Sequence, residues 1–498
     1  MATVTHRVVG ATTPSAAKVT ARVAGAGTAR LKVSTASDLG LSPLYSPPVA
    51  VDADGMATME IAGLSADTRY HYGLELDGVL DAAKRGQFRT HPSAGAAASF
   101  QFAFGNCSYG DNPVYDFMLA HDPLFWIHNG DLHYANVNAS DPQRYRDAYD
   151  TKLTAKKLHH AVANCALVQV WDDHDFCGEN SDGDSAGKAA VQQVWRQYFP
   201  ERGLPASTSD GIYRTFEVGR VRFIVLDLRS HRSPSSRPDD GSKTMLGATQ
   251  KQWFKDTLAA SAANPLVFVV SSGPWNARGT AGDSWSRYDT ERQELVDFIR
   301  SSVSSGVYFL CGDMHGLAYD DGTNAPGGFP VAHAGAFASQ ASAKGGPYTS
   351  GEPITGNKKY GLMDVTDTGA EIVATFYAWD TTSGSELLAP GWPFAATFAA
   401  AADRQVARPD GLVAAGSWTD QSGGIGDLAA AVNEAVASDL EYVHSSVGPT
   451  ADVLELSLSD LLDPGSPAGH VLRYRIRSQD GRLAVSWAEL EAPASTVP

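Results

Sequence analysis

The chain has 498 residues, 43% of them hydrophobic and 19% charged, which excludes a wholly disordered protein and leaves room for two or three domains. Its formal net charge of −17 excludes a broad basic surface for nucleic acid or anionic lipid. Four cysteines are too few for a disulfide framework and lack the paired spacing of a zinc finger. No stretch reaches the length of a membrane span, and residues 1–10 lack the basic, apolar and small-residue order of a secretory signal, so the chain reads as soluble.

Residues 4–90 alternate apolar and polar in short runs, such as Lys18-Val19-Thr20-Ala21-Arg22-Val23 and Tyr70-His71-Tyr72-Gly73-Leu74. Gly, Asp and Pro turns separate them, which predicts a small β-sandwich over residues 1–92. The stretch Leu64-Ser65-Ala66-Asp67-Thr68-Arg69-Tyr70-His71-Tyr72, with Gly86-Gln87-Phe88-Arg89-Thr90, resembles a fibronectin type III-like module. Residues 92–99, rich in Ala, Ser and Gly, read as a linker.

Over residues 99–401 strands alternate with helices. Continuous apolar runs at 100–104, 124–127, 166–171, 221–226, 266–270 and 307–310 predict parallel strands buried on both faces. Helical spacing at 144–160, 186–199, 248–261 and 290–301 predicts the covering helices. After residue 401 come a Gly-rich connection, a short helix expected at 428–437, and alternating runs at 453–458, 471–476 and 483–487, a small β-rich module over 410–498. Its segment Leu454-Glu455-Leu456-Ser457-Leu458-Ser459-Asp460 with Asp463-Pro464-Gly465 resembles β-modules of phage structural proteins. A binding or structural protein of phage or cell-surface origin, displaying its β-modules on the α/β body, is therefore one functional class to weigh.

Four clusters of metal-binding side chains follow apolar runs: Asn106-Cys107-Ser108, Gly130-Asp131-Leu132-His133-Tyr134, Trp171-Asp172-Asp173-His174-Asp175 and Gly312-Asp313-Met314-His315. Ligands of open α/β sheets sit at the carboxyl ends of the strands, so one edge of one sheet would collect a thiol, several carboxylates, a phenol and imidazoles. Taken singly, Cys107 reads as a buried filler and Tyr134 as a core aromatic. Repetition at strand ends is what points to metal-dependent hydrolysis. Asp172 could support its turn, Asp175 could partner His174, and Asn180 in the acidic loop 179–184 could complete a calcium site. Arg229 and Arg232, at another strand tip, could grip anionic oxygens, with a structural salt bridge as the alternative for Arg229. Trp275 and Phe329 could meet a leaving group or simply pack. The glycines of 322–328 lack the ending of a P-loop and read as a flexible active-site loop.

At these clusters the chain resembles the alkaline phosphatase D (PhoD-like) family of metallophosphoesterases. The likeness extends through Leu226-Asp227-Leu228-Arg229-Ser230-His231-Arg232, Leu246-Gly247-Ala248-Thr249-Gln250 with Trp253, and Asp283-Ser284-Trp285 with Tyr288 and Glu291-Arg292-Gln293. It implies an α/β (α+β) four-layer metallophosphoesterase sandwich holding ferric iron (Fe3+) and calcium (Ca2+). It implies Cys107, Asp131, Tyr134, Asp173, Asp313 and His315 as metal ligands, with Asp131 bridging a binuclear site that Asn180, on the loop argument above, would complete. A metal-activated hydroxide would attack phosphorus in line, His174 would assist catalysis and contact the substrate beside Arg229 and Arg232, and the partners would be phosphate mono- or diesters. The family is usually secreted or periplasmic. Ala135 stands where many relatives have Glu, and Ser271-Ser272-Gly273-Pro274-Trp275 lacks the His of broader metallophosphoesterases.

Overall fold

A computed structural model describes residues 2–277, 284–303 and 305–399, and beyond them the strands Pro409–Ala414, Trp418–Thr419, His444–Ser445, Val453–Leu458, His470–Gln479 and Arg482–Glu491. The chain divides into two compact units, Met1–Asp403 and Arg404–Pro498. In the second, Pro409–Ala414, Val453–Leu458, His470–Gln479 and Arg482–Glu491 form one antiparallel sheet in that order. The helix expected at 428–437 lies outside the described residues.

In the first unit, alternation at the N-terminus gives two small sheets facing each other. Thr3–Gly10, Ala16–Ala24 and Met56–Ala62 form one antiparallel run; Thr28–Ser34, Arg69–Leu76 and Val79–Arg89 form the other. Every second side chain of a strand points inward, and Val19, Leu31, Val33, Met59, Ile61, Tyr72 and Phe88 make the core between the sheets. This sandwich also joins the rest of the unit, because Gly10 pairs in parallel with Leu167. A Cβ at Gly10 would stand 2.7 Å from the Leu167 carbonyl oxygen, so only glycine allows that approach.

Two mixed sheets with helices follow. In the first, Phe125–Asn129 lies between Phe100–Gly105 and Ala166–Val170, all parallel, and Lys359–Asp367 and Glu371–Asp380 extend it antiparallel. In the second, Val221–Val225, Leu266–Ser271, Gly306–Cys311 and Val331–His333 run parallel. The inner faces meet in an aromatic core where Phe102 stacks on Phe125 at 5.2 Å and turns edge-on to Phe223 and Phe268, each at 5.3 Å, the geometry ring quadrupoles favour. Helices α1 (Val114–Ala120), α2 (Pro142–Leu153), α3 (Lys156–Asn164) and α5 (Lys188–Tyr198), with the short α4 (Asp173–Phe176) between the last two, contribute side chains to a core with the outer face of the first sheet. α6 (Gly247–Ala259) and α7 (Asp289–Ser302) do so for the second.

The single helix expected over 144–160 is two, broken where Ala155 adopts ψ 127. The Asp111 carboxylate accepts from the Lys157 and Leu158 N–H groups at 3.1 Å and so satisfies the open donors of the second helix. That cap comes from a distant loop, so helical periodicity could not reveal the break.

Candidate metal centre

The metal-binding clusters belong to two sheets rather than one. Cys107, Asp131 and Asp173 follow the three parallel strands of the first sheet, whereas Asp313 follows Gly306–Cys311 of the second. Cys107, Asp131 and Asp313 have φ of 60°, 60° and 61°, a left-handed conformation costing a non-glycine residue on the order of 1 kcal/mol. Strain repeated at three strand tips marks a site held for its chemistry. Gly130 and Gly312 precede two of these residues. A Cβ would stand 2.7 Å from Asp172 Cβ at Gly130, and 2.2 Å from the Asn129 carbonyl oxygen at Gly312.

Asp131 is the centre of the cluster. Its Oδ2 lies 3.5 Å from Cys107 Sγ and accepts from Tyr134 Oη at 3.1 Å, while Oδ1 accepts the His174 N–H at 3.2 Å. Tyr134 Oη is also 3.4 Å from His315 Nε2, and His315 Nδ1 donates to the Gln340 carbonyl oxygen at 2.6 Å. Donor atoms of Cys107, Asp131 and His315 lie within 4.8 Å of one another, as do those of Asp131, Asp173 and His174. One buried carboxylate is thus shared by two groups of donors, the arrangement a bridging ligand needs.

The electrostatics favour cations. Burial raises the Asp131 carboxyl well above the usual range, and Asp173, Asp172, Asp175 and Asp313 raise it further. Burial and the Asp131 charge likewise push up the Cys107 thiol, and burial pushes up the Tyr134 phenol. Acidic donors crowded in a low-dielectric site are stabilised in their ionised forms by a bound cation. The set fits a metal pair in its chemistry too: thiolate, phenolate and imidazole suit a transition metal, and carboxylates suit a hard cation.

The remaining expected residues divide. Asp173 Oδ2 accepts the Asn180 N–H at 2.7 Å, but the Asn180 side chain turns to Glu179 at 3.0 Å. Asp313 is buried and ion-paired with Lys344, a contact with no local signal in the sequence. His174 borders the cluster: Nδ1 is 2.6 Å from Asn136 Oδ1, Nε2 is 3.3 Å from Glu179 Oε2, and its ring lies 4.2 Å from that of Tyr134. Asp175 does not partner His174. Its carboxylate accepts the Asp172 and Leu132 N–H groups at 2.6 and 2.9 Å, holding two of the strand-tip loops together.

The two arginines sit behind the cluster. Arg229 is 1% exposed and reaches Asp172 Oδ1 through Nε and Nη2, each at 2.6 Å, and the Ser181 carbonyl oxygen through Nη1 at 3.1 Å. Arg232 is 2% exposed, donates to Tyr288 Oη at 2.7 Å and lies over that ring. Both guanidinium groups are thus buried. Trp275 stacks on Phe309 at 4.2 Å in the outer core of the second sheet, and the Asp320 carboxylate fixes the 322–328 loop by accepting from Gly322, Asn324 and Ala325.

Carboxylates, a thiol, a phenol and an imidazole thus gather at the strand ends of two facing sheets. Residues 98–341 match the model of the PhoD-like phosphatase family. Alkaline phosphatase D of Bacillus subtilis (strain 168) is 27% identical over 324 residues, 55% of this chain and 54% of that protein, so the chain matches about half the length of this curated relative. A solved structure of PhoD superposes with a TM-score of 0.64 at 19% identity, covering 78% of this chain and 89% of the other. The purple acid phosphatase PPD1 from yellow lupin (Lupinus luteus) seeds superposes with a TM-score of 0.52 at 11% identity, covering 79% and 74%.

Proposed function

We propose that the protein is a metal-dependent phosphoester hydrolase acting on phosphate mono- or diesters, with a binuclear centre bridged by Asp131 in a four-layer body. The observation that carries this reading is the sharing of one buried carboxylate by two donor groups. Cys107, Tyr134 and His315 with Asp131 would hold iron. Asp173 and Asp313, with Asn180 from the adjoining loop, would hold calcium beside it. When bound, the cations would neutralise phosphoryl oxygens and make water more acidic.

The chain's own groups supply orientation and proton handling. Asn136 Oδ1 beside His174 Nδ1 turns Nε2 toward the acidic side of the cluster, where it can give a proton to the leaving oxygen. Glu179, beside Nε2, is the acceptor that position displaces. Arg229 acts through Asp172, fixing the turn that carries Asp173, and Arg232 braces the same wall through Tyr288. Asp175 ties that turn to the Asp131 loop.

Elemental analysis of the purified protein, a visible absorption spectrum, and turnover of matched aryl phosphate mono- and diesters test this together. Iron with a broad tyrosinate band, together with ester turnover, is expected. Asp131→Asn should lose metal and lower kcat by about 100-fold or more, as removal of a bridging ligand requires. Full activity in that variant, or neither metal nor turnover after reconstitution, would overturn the reading.

A further inference from the structure

We propose that the cavity between α2 and the Tyr134 loop is a subsite for the uncharged, ring-sized organic group of the phosphoester. This rests on the hydrolase reading. The cavity has a volume of about 630 Å³ and shares Tyr134 with the metal cluster, so an ester held at Asp131 has this space beside its alcohol portion. On α2 and just beyond it, Arg144, Asp147, Ala148, Thr151, Lys152 and Ala155 line the cavity. Their spacing of three and four residues places them on one helical face. Tyr145, Tyr149 and Leu153 occupy the opposite face and are buried in the core.

The lining specifies the chemistry of the ligand. Small side chains at Ala135, Ala148 and Ala155 leave width, and the Tyr109 ring, 73% exposed, stands edge-on to Tyr134 at 5.6 Å. Aromatic walls around a gap bind flat apolar groups well. The charged members are two cations, Arg144 and Lys152, and two anions, Asp111 and Asp147, so the wall asks for no net charge. Lys152 is itself committed, donating to the Ser108 and Gly110 carbonyl oxygens.

Calorimetric titration of the metal-loaded protein with 1-naphthylphosphonate, methylphosphonate and inorganic phosphate tests this without turnover. The naphthyl compound should bind about tenfold or more tighter than the methyl one, the effect expected for burying an aromatic group. Ala148→Trp, and separately Thr151→Trp, should remove most of that advantage while leaving the phosphate and methylphosphonate affinities in the same ratio to each other. Because both positions lie on the open face of the helix, a second variant is at hand if the first fails to fold. Equal binding of the two phosphonates by the native protein, or an advantage that survives in both variants, would overturn the subsite. Absence of phosphate binding and of ester turnover would overturn the hydrolase reading, and the subsite with it.

Discussion

The guanidinium of Arg229 lies 57 residues along the chain from Asp172, which it meets in a buried pair. Removing one member of such a pair leaves a buried charge without its partner and costs about 3–5 kcal/mol. Arg229→Leu should therefore lower the unfolding free energy by about that amount, read from denaturant titration. If Arg229 instead gripped substrate phosphate, KM would rise by about tenfold or more with stability nearly unchanged; that outcome would return it to the substrate-facing role. Cys107, Asp131 and His315 were legible because chemistry-bearing residues recurred at strand ends. The partners of Arg229, Arg232 and Asp175 were not, since a charge at a strand tip looks the same in sequence whether it faces a cleft or a buried partner. Lys344 gave no signal at all: it stands in a Gly-rich loop, and only the fold brings it to Asp313.

At the level of elements, the site depends on how the two sheets are held face to face. Asn129, at the end of the strand that leads to Asp131, donates its side-chain amide to the carbonyl oxygens of Ser271 and Leu310, both at 3.0 Å. Both acceptors belong to the second sheet, so one side chain joins the sheets directly beneath the metal cluster. Asn129→Leu removes two buried hydrogen bonds and should cost about 1–3 kcal/mol in denaturant unfolding. It should also weaken metal retention during dialysis against a chelator, because Asp131 and Asp313 then lose their common footing. A variant with unchanged stability and metal retention would mean that the aromatic core alone sets the sheet spacing. The strands themselves were legible, since burial on both faces imposes continuous apolar runs. That the clusters come from two sheets was not, because periodicity reports burial and says nothing of which strands pair. The split between α2 and α3 was hidden for a related reason, the Asp111 cap being tertiary.

Across the whole first unit, His91 is one of the residues through which sandwich and sheets meet. It is 3% exposed, its Nε2 is 2.8 Å from Thr12 Oγ1, and its ring lies 5.7 Å from Phe125 and 6.1 Å from Phe216. Burial holds its pKa down from 6.5 to about 4. Above pH 6.5 the ring is neutral whether the chain is folded or unfolded, and it contributes no pH dependence there. Between 6.5 and about 4 the unfolded chain binds a proton that the native chain refuses, so stability falls as the pH drops. The loss approaches about 3 kcal/mol at the lower end. Urea unfolding at pH 7 and pH 4.5, compared between the native protein and His91→Asn, isolates this contribution, since His128 and His333, whose pKa values burial holds down to about 3, are common to both. The variant should be less stable at pH 7, having lost the Thr12 contact and ring packing, yet lose about 2–3 kcal/mol less on acidification. Equal losses in the two proteins would show that His91 takes up its proton without opening the junction, and that the acid sensitivity of the unit resides elsewhere.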